Sequence, residues 1–572
     1  KPALWSPAHP SLYILQTSIA VNDEPSYTAD SQLVGIRTFS FDPEKGFTIN
    51  GHPDKLRGVC LHEDCGTLGN AFYKEVWYRR LTKLKAMGCN AIRMSHNPHA
   101  AGFYELCDEL GFFVMDEAFD EWEGPKNKWS TGHNVYPPRH EGYYEDFPAC
   151  HKTDLQAMID RGFNHPSIIL WSIGNEIDYP NDPYCHPLFR EMTGNNDANK
   201  PAAERMYNPD RPNTERLVTL AAMLASEVKK IDRTRPVTLA AAFPELSAQL
   251  GFLNSMDVAG YNYKEHLYEE SHRKFPQLPF LGSENGHGWE EWKVVRDRCY
   301  ISGQFLWTGI DYLGETVGWP QRGSMAGLLD VAGFEKPGYW RRQSFWSAEP
   351  MVHMVTSRAE HSGEEWTRPL AESWNYNPGE TIEVRAYTNL KEADLFLNGQ
   401  RIASGHRNDD ADAIYFNVPF TEGVLSVRAR GTLTTLPGCA KVAGQENQQT
   451  FYEANDKLCT VLTPSRLLLA PVSVPAEFVS DPEHPVQQLE VSVLDASGAF
   501  VHAGAYRIHV KVTDGTLLGL ESGDLCDDTD YTSDVRSSCR GHLIVFVRRN
   551  RPDRPVTVSA ECDELAAARI TC

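Results

Sequence analysis

Two patterns of hydrophobic residues divide the chain. From about residue 41 to residue 347, short apolar runs alternate with segments in which apolar residues recur every three or four positions. The stretch from Tyr73 to Met87 is of the second kind, which is typical of an amphipathic helix. A continuous apolar run such as Ile168–Glu176 predicts a strand that is buried on both faces. The alternation therefore predicts repeated strand–helix units around a parallel sheet.

Eight apolar runs in this region are candidate strands of that sheet. They are Lys55–His62, Asn90–His96, Phe112–Glu117, Ile168–Glu176, Pro236–Ala240, Asp257–Tyr263, Phe280–Glu284 and Gln304–Thr308. Eight strand–helix units in roughly 300 residues predict a (β/α)8 TIM barrel. An open doubly wound sheet is the alternative, but no glycine-rich phosphate loop follows an early strand.

After Trp346 the pattern changes to alternation of apolar and polar residues, which is typical of half-buried strands. Asn398-Gly399 follows one such strand and predicts a two-residue hairpin turn. We interpret residues 348–437 as a β-sandwich accessory domain and residues 457–572 as a C-terminal immunoglobulin-like β-sandwich. A polar, turn-rich linker from Gly438 to Asp456 is expected between them.

The start of the chain, residues 1–40, contains two strand-like runs, which are too few to bury a core of their own. We interpret this segment as the C-terminal part of an immunoglobulin-like β-sandwich whose earlier strands are missing from the chain. The expected fold class is therefore multidomain α/β plus all-β, with a TIM barrel over residues 41–347 flanked by immunoglobulin-like β-sandwiches.

Composition and charge narrow the function classes. The net charge of −22 at pH 7 disfavours nucleic acid as a partner, and the chain has no apolar run long enough to predict a membrane span. The 13 cysteines form no CxxC pair and no His/Cys cluster with zinc spacing, so we expect no metal and no organic cofactor. With no signal peptide visible, a cytoplasmic location is expected. Because the chain does not start with Met, a periplasmic location stays open, as does a homo-oligomer.

Two glutamates end apolar strands in equivalent ways. Glu176 follows the fourth predicted strand and Glu284 ends the seventh. Because the C-terminal ends of barrel strands meet at one rim, the two carboxylates are expected to converge across it. Two carboxylates across a cleft can cleave a glycosidic bond, with retention of configuration when they are roughly 5–5.5 Å apart.

Four segments occur in one order along the barrel: Gly58–His62, Arg93–Pro98, Ser172–Glu176 and Glu284–His287. Together they resemble glycoside hydrolase family 2, which includes β-galactosidases, β-glucuronidases and β-mannosidases. The resemblance implies a retaining exo-glycosidase in which Glu176 is the acid/base and Glu284 is the nucleophile. The two C-terminal sandwiches resemble the accessory domains of bacterial β-galactosidases, whereas the N-terminal jelly-roll domain of the family has no counterpart in the chain.

The resemblance also implies substrate-binding residues at the strand ends. Asn175 is expected to bind the sugar 2-hydroxyl, and Arg93 to orient Glu284 and keep it ionised. Tyr263 is expected to donate a hydrogen bond to the nucleophile, with Tyr261 as a rival on the same strand. The remaining expected sugar contacts are His62, His96, His287, Trp307 and Asp116. Each could instead have a purely structural role. Asp116, Glu117 and Asp311 could bind hydroxyls or a cation, or could pair with arginines.

The residues after the eighth strand bear on the choice of sugar. A uronate-cleaving member of the family is expected to have an Asn-x-Lys pair there, but Ser324 and Ala326 occupy the matching positions. This departure favours a neutral sugar, and we expect hydrolysis of terminal β-D-galactosides. Because Arg322 is nearby and could pair with a carboxylate, a β-glucuronidase or other uronidase stays open. A non-catalytic carbohydrate-binding protein is the alternative from another class.

Overall fold

The computed structural model describes residues 1–22, 27–125, 142–178, 184–190, 210, 212–316, 318–361, 368–433 and 450–572. Five strands precede the barrel: β1 (Tyr13–Ile19), β2 (Tyr27–Val34), β3 (Phe39–Asp42), β4 (Gly46–Ile49) and β5 (His52–Pro53). β1 and β2 pair antiparallel, and β3, β4 and β5 form a separate antiparallel sheet. Within the described residues, no helix has the length and apolar character needed to cross a membrane.

A closed barrel of eight parallel strands is the centre of the molecule, which confirms the predicted TIM barrel. Its strands follow one another around the barrel in chain order and are β6 (Leu56–Leu61), β7 (Ala91–Met94), β8 (Phe113–Glu117), β9 (Ile168–Asn175), β10 (Val237–Ala241), β11 (Ala259–Asn262), β12 (Phe280–Asn285) and β13 (Ile301–Leu306). The helices are α1 (Lys74–Ala86), α2 (Ala101–Leu110), α3 (Phe147–Gly162), α4 (Glu215–Ile231), α5 (Pro244–Ser247), α6 (Tyr268–Lys274), α7 (Trp289–Asp297) and α8 (Pro337–Trp346).

The N-terminal end of the barrel is closed by side chains from outside it. Trp5 and Phe47 are fully buried in one apolar cluster with strand residues such as Phe113 and Phe305. Trp5 packs edge-on against Phe113, with ring centroids 5.9 Å apart, and Phe47 packs against the same ring at 5.0 Å. The start of the chain therefore contributes directly to the barrel core, and the opposite, C-terminal end of the barrel is the end where the predicted site residues lie.

Two all-β units follow the barrel, so the prediction of flanking sandwiches is also confirmed. The remaining strands are β14 (Tyr312–Leu313), β15 (Gly323–Ser324), β16 (Val352–Arg358), β17 (Thr381–Thr388), β18 (Leu390–Leu397), β19 (Gln400–His406), β20 (Ile414–Pro419), β21 (Val424–Leu433), β22 (Tyr452–Cys459), β23 (Pro464–Pro471), β24 (Val486–Asp495), β25 (Arg507–Thr513), β26 (Gly515–Glu521), β27 (Val535–Ser537), β28 (His542–Arg549), β29 (Thr557–Cys562) and β30 (Leu565–Thr571). Strands β16, β17 and β20 form one sheet and β18, β19, β21 and β22 another, around a common core. Strands β23 to β30 form the second unit.

The predicted linker from Gly438 to Asp456 is wrong at its C-terminal end. Residues 434–449 lie outside the described residues, but β22 begins at Tyr452 and pairs antiparallel with β21 along its whole length. Its side chains alternate between exposed and half-buried. β22 is an edge strand with one wet face, and its polar residues resemble a linker in sequence because only alternate positions contact the core.

The second sandwich is attached to the barrel through α1. The Glu75 carboxylate accepts hydrogen bonds from the backbone N–H groups of Ser480 (3.0 Å) and Val486 (3.0 Å). Arg79 forms an ion pair with Glu490 at 2.9 Å. The apolar core between barrel strands and helices continues into this sandwich through Val486, Ile544 and Phe546, so the two units share one packed interface.

Candidate active site

Glu176 and Glu284 both lie at the C-terminal end of the barrel. Glu176 follows β9 directly, and its backbone N–H donates to the carbonyl of Ala240 on β10 at 2.8 Å. Glu284 is the second-to-last residue of β12 and lies opposite Asn262 of β11 in the strand register. Only β10 and β11 separate the two strands around the barrel. The prediction that both glutamates lie at one end of one barrel agrees with this placement.

Two glycines near these strand ends pack closely against neighbouring side chains. A Cβ on Gly174 would lie 2.9 Å from the indole nitrogen of Trp122, and a Cβ on Gly282 would lie 2.0 Å from the Asn285 side-chain oxygen. Both distances are shorter than real Cβ atoms tolerate, so glycine is required by the close packing behind each glutamate.

Arg93 is the cation at the centre of the site. It extends from β7, is fully buried, and donates to both oxygens of Glu117, with Nε and Nη2 distances of 2.9–3.0 Å. Its Nη1 donates to Glu284 Oε2 at 2.8 Å. Burial alone would lower the pKa of Arg93, but the charges of Glu117 and Glu284 outweigh this effect and hold it well above its ordinary value. The guanidinium therefore stays charged and fixes the orientation of the Glu284 carboxylate.

A chain of hydrogen bonds connects the two glutamates through two asparagines. Arg93 Nη2 donates to Asn175 Oδ1 at 2.8 Å, and Asn262 Nδ2 donates to the same oxygen at 3.2 Å. The Asn262 amide also donates to Glu176 Oε1 at 3.2 Å. Arg93 in turn holds Glu284, so both carboxylates belong to one network whose side chains come from four different strands.

Tyr263 is the tyrosine that faces the pair of glutamates. Its backbone N–H donates to the carbonyl of Glu284 at 2.7 Å. Burial of the hydroxyl, the charges of Glu284 and Glu176 and a hydrogen bond with Glu284 raise its pKa well above the ordinary value. The residue as a whole is nevertheless 42% exposed. The rival Tyr261 is fully buried and bonds Ser271 on α6, outside the barrel.

An aromatic wall of four side chains lies beside the network: His62, His96, Trp307 and Tyr312. The His96 ring is stacked parallel to Trp307 with centroids 5.1 Å apart, and His62 is stacked on Tyr312 at 4.1 Å. His96 Nδ1 lies 2.6 Å from Glu117 Oε1, which connects the wall to the network around Arg93. Burial, and then the neighbouring His96 and His99, lower the pKa of His62 well below its ordinary value, so this imidazole is neutral near pH 7.

Two predicted site residues lie elsewhere. The Asp116 carboxylate is completely buried and accepts a hydrogen bond from Tyr104 of α2 at 2.7 Å, so in this structure it cannot contact a sugar. Burial raises its pKa to about 7. His287 Nε2 lies 2.8 Å from the carbonyl oxygen of Trp307, a contact that holds the wall from behind. Burial and the nearby Arg342 lower the pKa of His287 to about 3.

Two residues of the site were not among those predicted: Asn262 and Glu315. Glu117 was named as a residue that could bind hydroxyls or pair with an arginine, and in the structure it pairs with Arg93. Asn262 ends β11 and directly precedes Tyr263. Glu315 lies on the loop between β14 and β15, where the sequence shows no regular pattern. Within the described residues, no group of three His, Cys, Asp or Glu side chains is arranged to hold a metal ion.

The positions that bear on a uronate are occupied by neutral residues or are engaged elsewhere. Ser324 lies opposite Tyr312 in the β14–β15 hairpin. Arg322 is directed away from the hairpin: its Nη1 donates to the Tyr531 hydroxyl at 2.6 Å, and its Nη2 forms an ion pair with Glu521 of the second sandwich at 3.5 Å. Both terminal nitrogens of its guanidinium are therefore engaged by protein groups.

Comparison with known proteins identifies the family. The chain is 30% identical over 99% of its length to β-galactosidase BoGH2A of Bacteroides ovatus, of which it covers 67%. The chain belongs to glycoside hydrolase family 2. The model of the TIM barrel domain of family 2 glycosyl hydrolases matches residues 43–292, and C-terminal domain 5 of the same family matches residues 477–571. Residues 379–433 match a domain of unknown function, DUF4982.

Other family 2 relatives differ in the sugar named. A putative β-glucuronidase of Formosa agariphila is 30% identical over 96% of the chain, which covers 51% of that protein. Among solved structures, a family 2 member from Bacteroides cellulosilyticus superposes with a TM-score of 0.79 at 26% identity, over 100% of this chain and 68% of the other. The chain thus spans about two thirds of the first relative and half of the second. It is a family 2 glycoside hydrolase, and the name of its sugar is not decided by these similarities.

Proposed function

We propose that this glycoside hydrolase cleaves terminal non-reducing β-D-galactosides by double displacement. The single observation that carries the proposal is the network in which Arg93, Asn175 and Asn262 hold Glu176 and Glu284 at one end of one barrel. Two carboxylates arranged around one glycosidic bond are the chemical requirement for its acid-assisted cleavage.

Glu284 is the proposed nucleophile. The Arg93 guanidinium pairs with it at 2.8 Å, and this cation favours the ionised carboxylate that attack on the anomeric carbon requires. Tyr263 supplies a hydrogen bond to the same carboxylate. When the glycosyl–enzyme bond forms, the negative charge on Glu284 is lost, and the same bond breaks when water attacks in the second step.

Glu176 is the proposed acid/base. It is half-buried, and the neutral Asn262 amide donates a hydrogen bond to its Oε1 at 3.2 Å. In the first step it protonates the leaving oxygen, and in the second it removes a proton from the attacking water. Asn175, adjacent to it in sequence and bonded to Arg93, is the proposed ligand of the sugar 2-hydroxyl.

The charges around the site support a neutral sugar. Arg93 already makes hydrogen bonds from all of its nitrogens to protein groups, and Arg322 is bonded to the second sandwich. Burial and the charges of Asp120 and Glu284 raise the pKa of Glu315, and these carboxylates would repel a substrate carboxylate placed near them. A β-glucuronide is the second candidate substrate, because one of the relatives is named a putative β-glucuronidase.

A panel of p-nitrophenyl β-glycosides tests the proposal. We expect kcat/KM to be highest for the β-D-galactoside and at least about 10-fold lower for the glucuronide, glucoside and mannoside, because misplaced or charged groups leave buried polar atoms unpaired. Preference for the glucuronide would overturn the sugar assignment while leaving the two glutamates in place. Absence of turnover with every member of the panel would overturn the proposed function.

A further inference from the structure

Glu315 is a third carboxylate beside the candidate active site, and it has no role in the proposed reaction of Glu176 and Glu284. It lies on the loop that joins β14 to β15, after the last strand of the barrel. The Tyr312 hydroxyl donates to its Oε2, and no hydrogen bond to its Oε1 comes from the described part of the chain. The residue is half-buried, so the carboxylate borders solvent-accessible space.

Tyr312, the partner of Glu315, belongs to the aromatic wall. Tyr312 stacks on His62 with centroids 4.1 Å apart and lies edge-on to Trp307 at 5.5 Å. Burial raises the pKa of Glu315, His96 counteracts this effect, and the charges of Asp120 and Glu284 add to it. Glu315 therefore lies near both the aromatic wall and the proposed nucleophile.

The residue before Glu315 is anchored to the protein. Gly314 N–H donates to the Arg322 carbonyl at 2.9 Å, and Arg322 N–H donates to the carbonyl of Leu525 in the second sandwich at 2.8 Å. These bonds, with the Tyr312 hydroxyl, give the Glu315 carboxylate a defined position, as recognition of one sugar hydroxyl requires.

Backbone conformation gives an independent indication. Eight non-glycine residues of the described chain have positive φ: Asn22, Asn50, Glu176, Tyr263, Glu315, Asn398, Asp514 and Arg540. Asn and Asp adopt this conformation readily in turns, whereas longer side chains do so at a cost. Three of the four that are neither Asn nor Asp are at the site, namely Glu176, Tyr263 and Glu315. Such strain concentrates where function needs a side chain aimed in one direction.

We propose that Glu315 binds the sugar directly, accepting a hydrogen bond from one hydroxyl through Oε1, and that its charge excludes uronates. This proposal rests on the proposed function, since it assigns a further specificity residue to the same site. A carboxylate accepts strong hydrogen bonds from hydroxyls, and it repels a second carboxylate in the same pocket. The structural alternative is that Glu315 only holds Tyr312 in place.

Substrates that lack one hydroxyl distinguish direct binding of the sugar by Glu315 from a role in which Glu315 only holds Tyr312 in place. The kcat/KM values of wild type, Glu315→Gln and Tyr312→Phe are measured on p-nitrophenyl β-D-galactoside and its 2-, 3-, 4- and 6-deoxy analogues. Glu315→Gln keeps an oxygen that can accept from Tyr312 but removes the charge. Tyr312→Phe removes the Tyr312–Glu315 bond but keeps the carboxylate. Glu290→Gln, which changes an exposed carboxylate on α7, is the matched control.

We expect one of the 3-, 4- or 6-deoxy analogues to lose roughly 10- to 100-fold in kcat/KM with wild type, as for a hydroxyl bonded to a charged group. With Glu315→Gln that loss should shrink to less than about threefold, because the partner is already weakened. The loss on the 2-deoxy analogue should persist, since it depends on Asn175. Tyr312→Phe and Glu290→Gln should keep the wild-type pattern. Glu315→Gln should also narrow the preference for the galactoside over p-nitrophenyl β-D-galacturonide by about 10-fold.

Two results would overturn the proposal. If Glu315→Gln kept every deoxy penalty of wild type, Glu315 would not contact the sugar. If Tyr312→Phe removed the same penalty as Glu315→Gln, Glu315 would act only through Tyr312. Absence of galactoside turnover by wild type is a separate outcome, which would overturn the proposed function and this proposal with it.

Discussion

Two buried ionic clusters in this protein have the same chemistry in different surroundings. At the C-terminal end of the barrel, Arg93 holds Glu117 and Glu284. Where the barrel meets the second sandwich, Arg322 and Arg536 hold Glu521 at 3.5 and 3.7 Å. Both clusters have a fully buried glutamate, Glu117 in one and Glu521 in the other, and both are formed by side chains distant in sequence.

The two clusters differ in the surroundings of their carboxylates. Glu521 also accepts from the backbone N–H groups of Thr67 (3.0 Å) and Ser522 (3.1 Å), so its oxygens are enclosed by protein. Glu284 instead lies beside the partly exposed Tyr263 and the half-buried Glu176. A closed cluster joins two domains, whereas an open one leaves a carboxylate available to react.

Replacement of the open carboxylate should have the largest effect on catalysis. We expect Glu284→Gln to lower kcat by at least about 10³-fold, because the amide cannot form the glycosyl ester. Thermal unfolding should change little, since the amide still accepts from Arg93. In Glu284→Ala, added azide should restore turnover and yield a glycosyl azide of inverted configuration. Glu521→Gln is the matching variant in the closed cluster. If Glu284→Gln kept a near-normal kcat, the proposed difference between the open and the closed cluster would be wrong.

Loss of the central cation should affect both stability and rate. Arg93→Met leaves Glu117 buried without its main partner, which we expect to reduce the free energy of unfolding by about 3–5 kcal/mol. Chemical denaturation at neutral pH measures this change, and kcat of the remaining folded protein should fall as well. Because the charge of Arg93 lowers the pKa of Glu117 against the effect of burial, the variant should regain stability in mild acid. A variant with unchanged stability and kcat would show that the network is not required.

The matching change in the closed cluster should be milder and should act on stability alone. Arg322→Met leaves Glu521 with Arg536 and two backbone donors, so we expect a loss of about 1–3 kcal/mol in denaturation. The kcat value should change less than about 10-fold. A fall in kcat as large as that of Arg93→Met would mean that the second sandwich takes part in the reaction.

The smallest predicted effect concerns pH and a histidine between the barrel and the second sandwich. His542 is stacked between Phe334 and Phe500, and burial, together with Arg540 and His502, lowers its pKa to about 3. The unfolded chain binds a proton near pH 6.5 and the folded one does not. Stability should therefore be complete above pH 6.5 and fall as the pH decreases toward 3.

Replacement of this histidine isolates its contribution. His542→Phe fits the same stack, and the buried Nδ1 that it removes has no hydrogen-bond partner in the part of the chain that the structure describes. Between pH 6.5 and pH 4.5 we expect wild type to lose up to about 2 kcal/mol more than His542→Phe, measured by denaturation at each pH. Parallel pH profiles for the two proteins would contradict the assignment.

The sequence predicted the barrel strands well because buried parallel strands are nearly continuous apolar runs with polar ends. The placement of Glu176 and Glu284 at one end of the barrel could be inferred from these strands, because the C-terminal ends of barrel strands lie at the same rim. What sequence could not separate was Asp116 from Glu117: adjacent residues of a strand point to opposite faces, and an apolar run buried on both faces does not reveal which is inside. Glu117 points inward to Arg93, and Asp116 points outward to Tyr104.

The loop residues of the site were beyond prediction for a different reason. Tyr312 and Arg322 hold Glu315 and its neighbour Gly314, and Arg322 in turn contacts the second sandwich, which is far away in the chain. Tyr263 also departs from regular strand geometry, with φ of 54°, so strand periodicity did not distinguish it from Tyr261. Tertiary contacts decided both cases.

The stereochemistry of the first product tests most directly whether the two glutamates act together in double displacement. Proton NMR can follow the anomeric signal of the sugar released from p-nitrophenyl β-D-galactoside before mutarotation. We expect the β-anomer to appear first, because two inversions at the anomeric carbon give net retention. Initial appearance of the α-anomer would show a single displacement by water and would contradict the role of Glu284 as nucleophile.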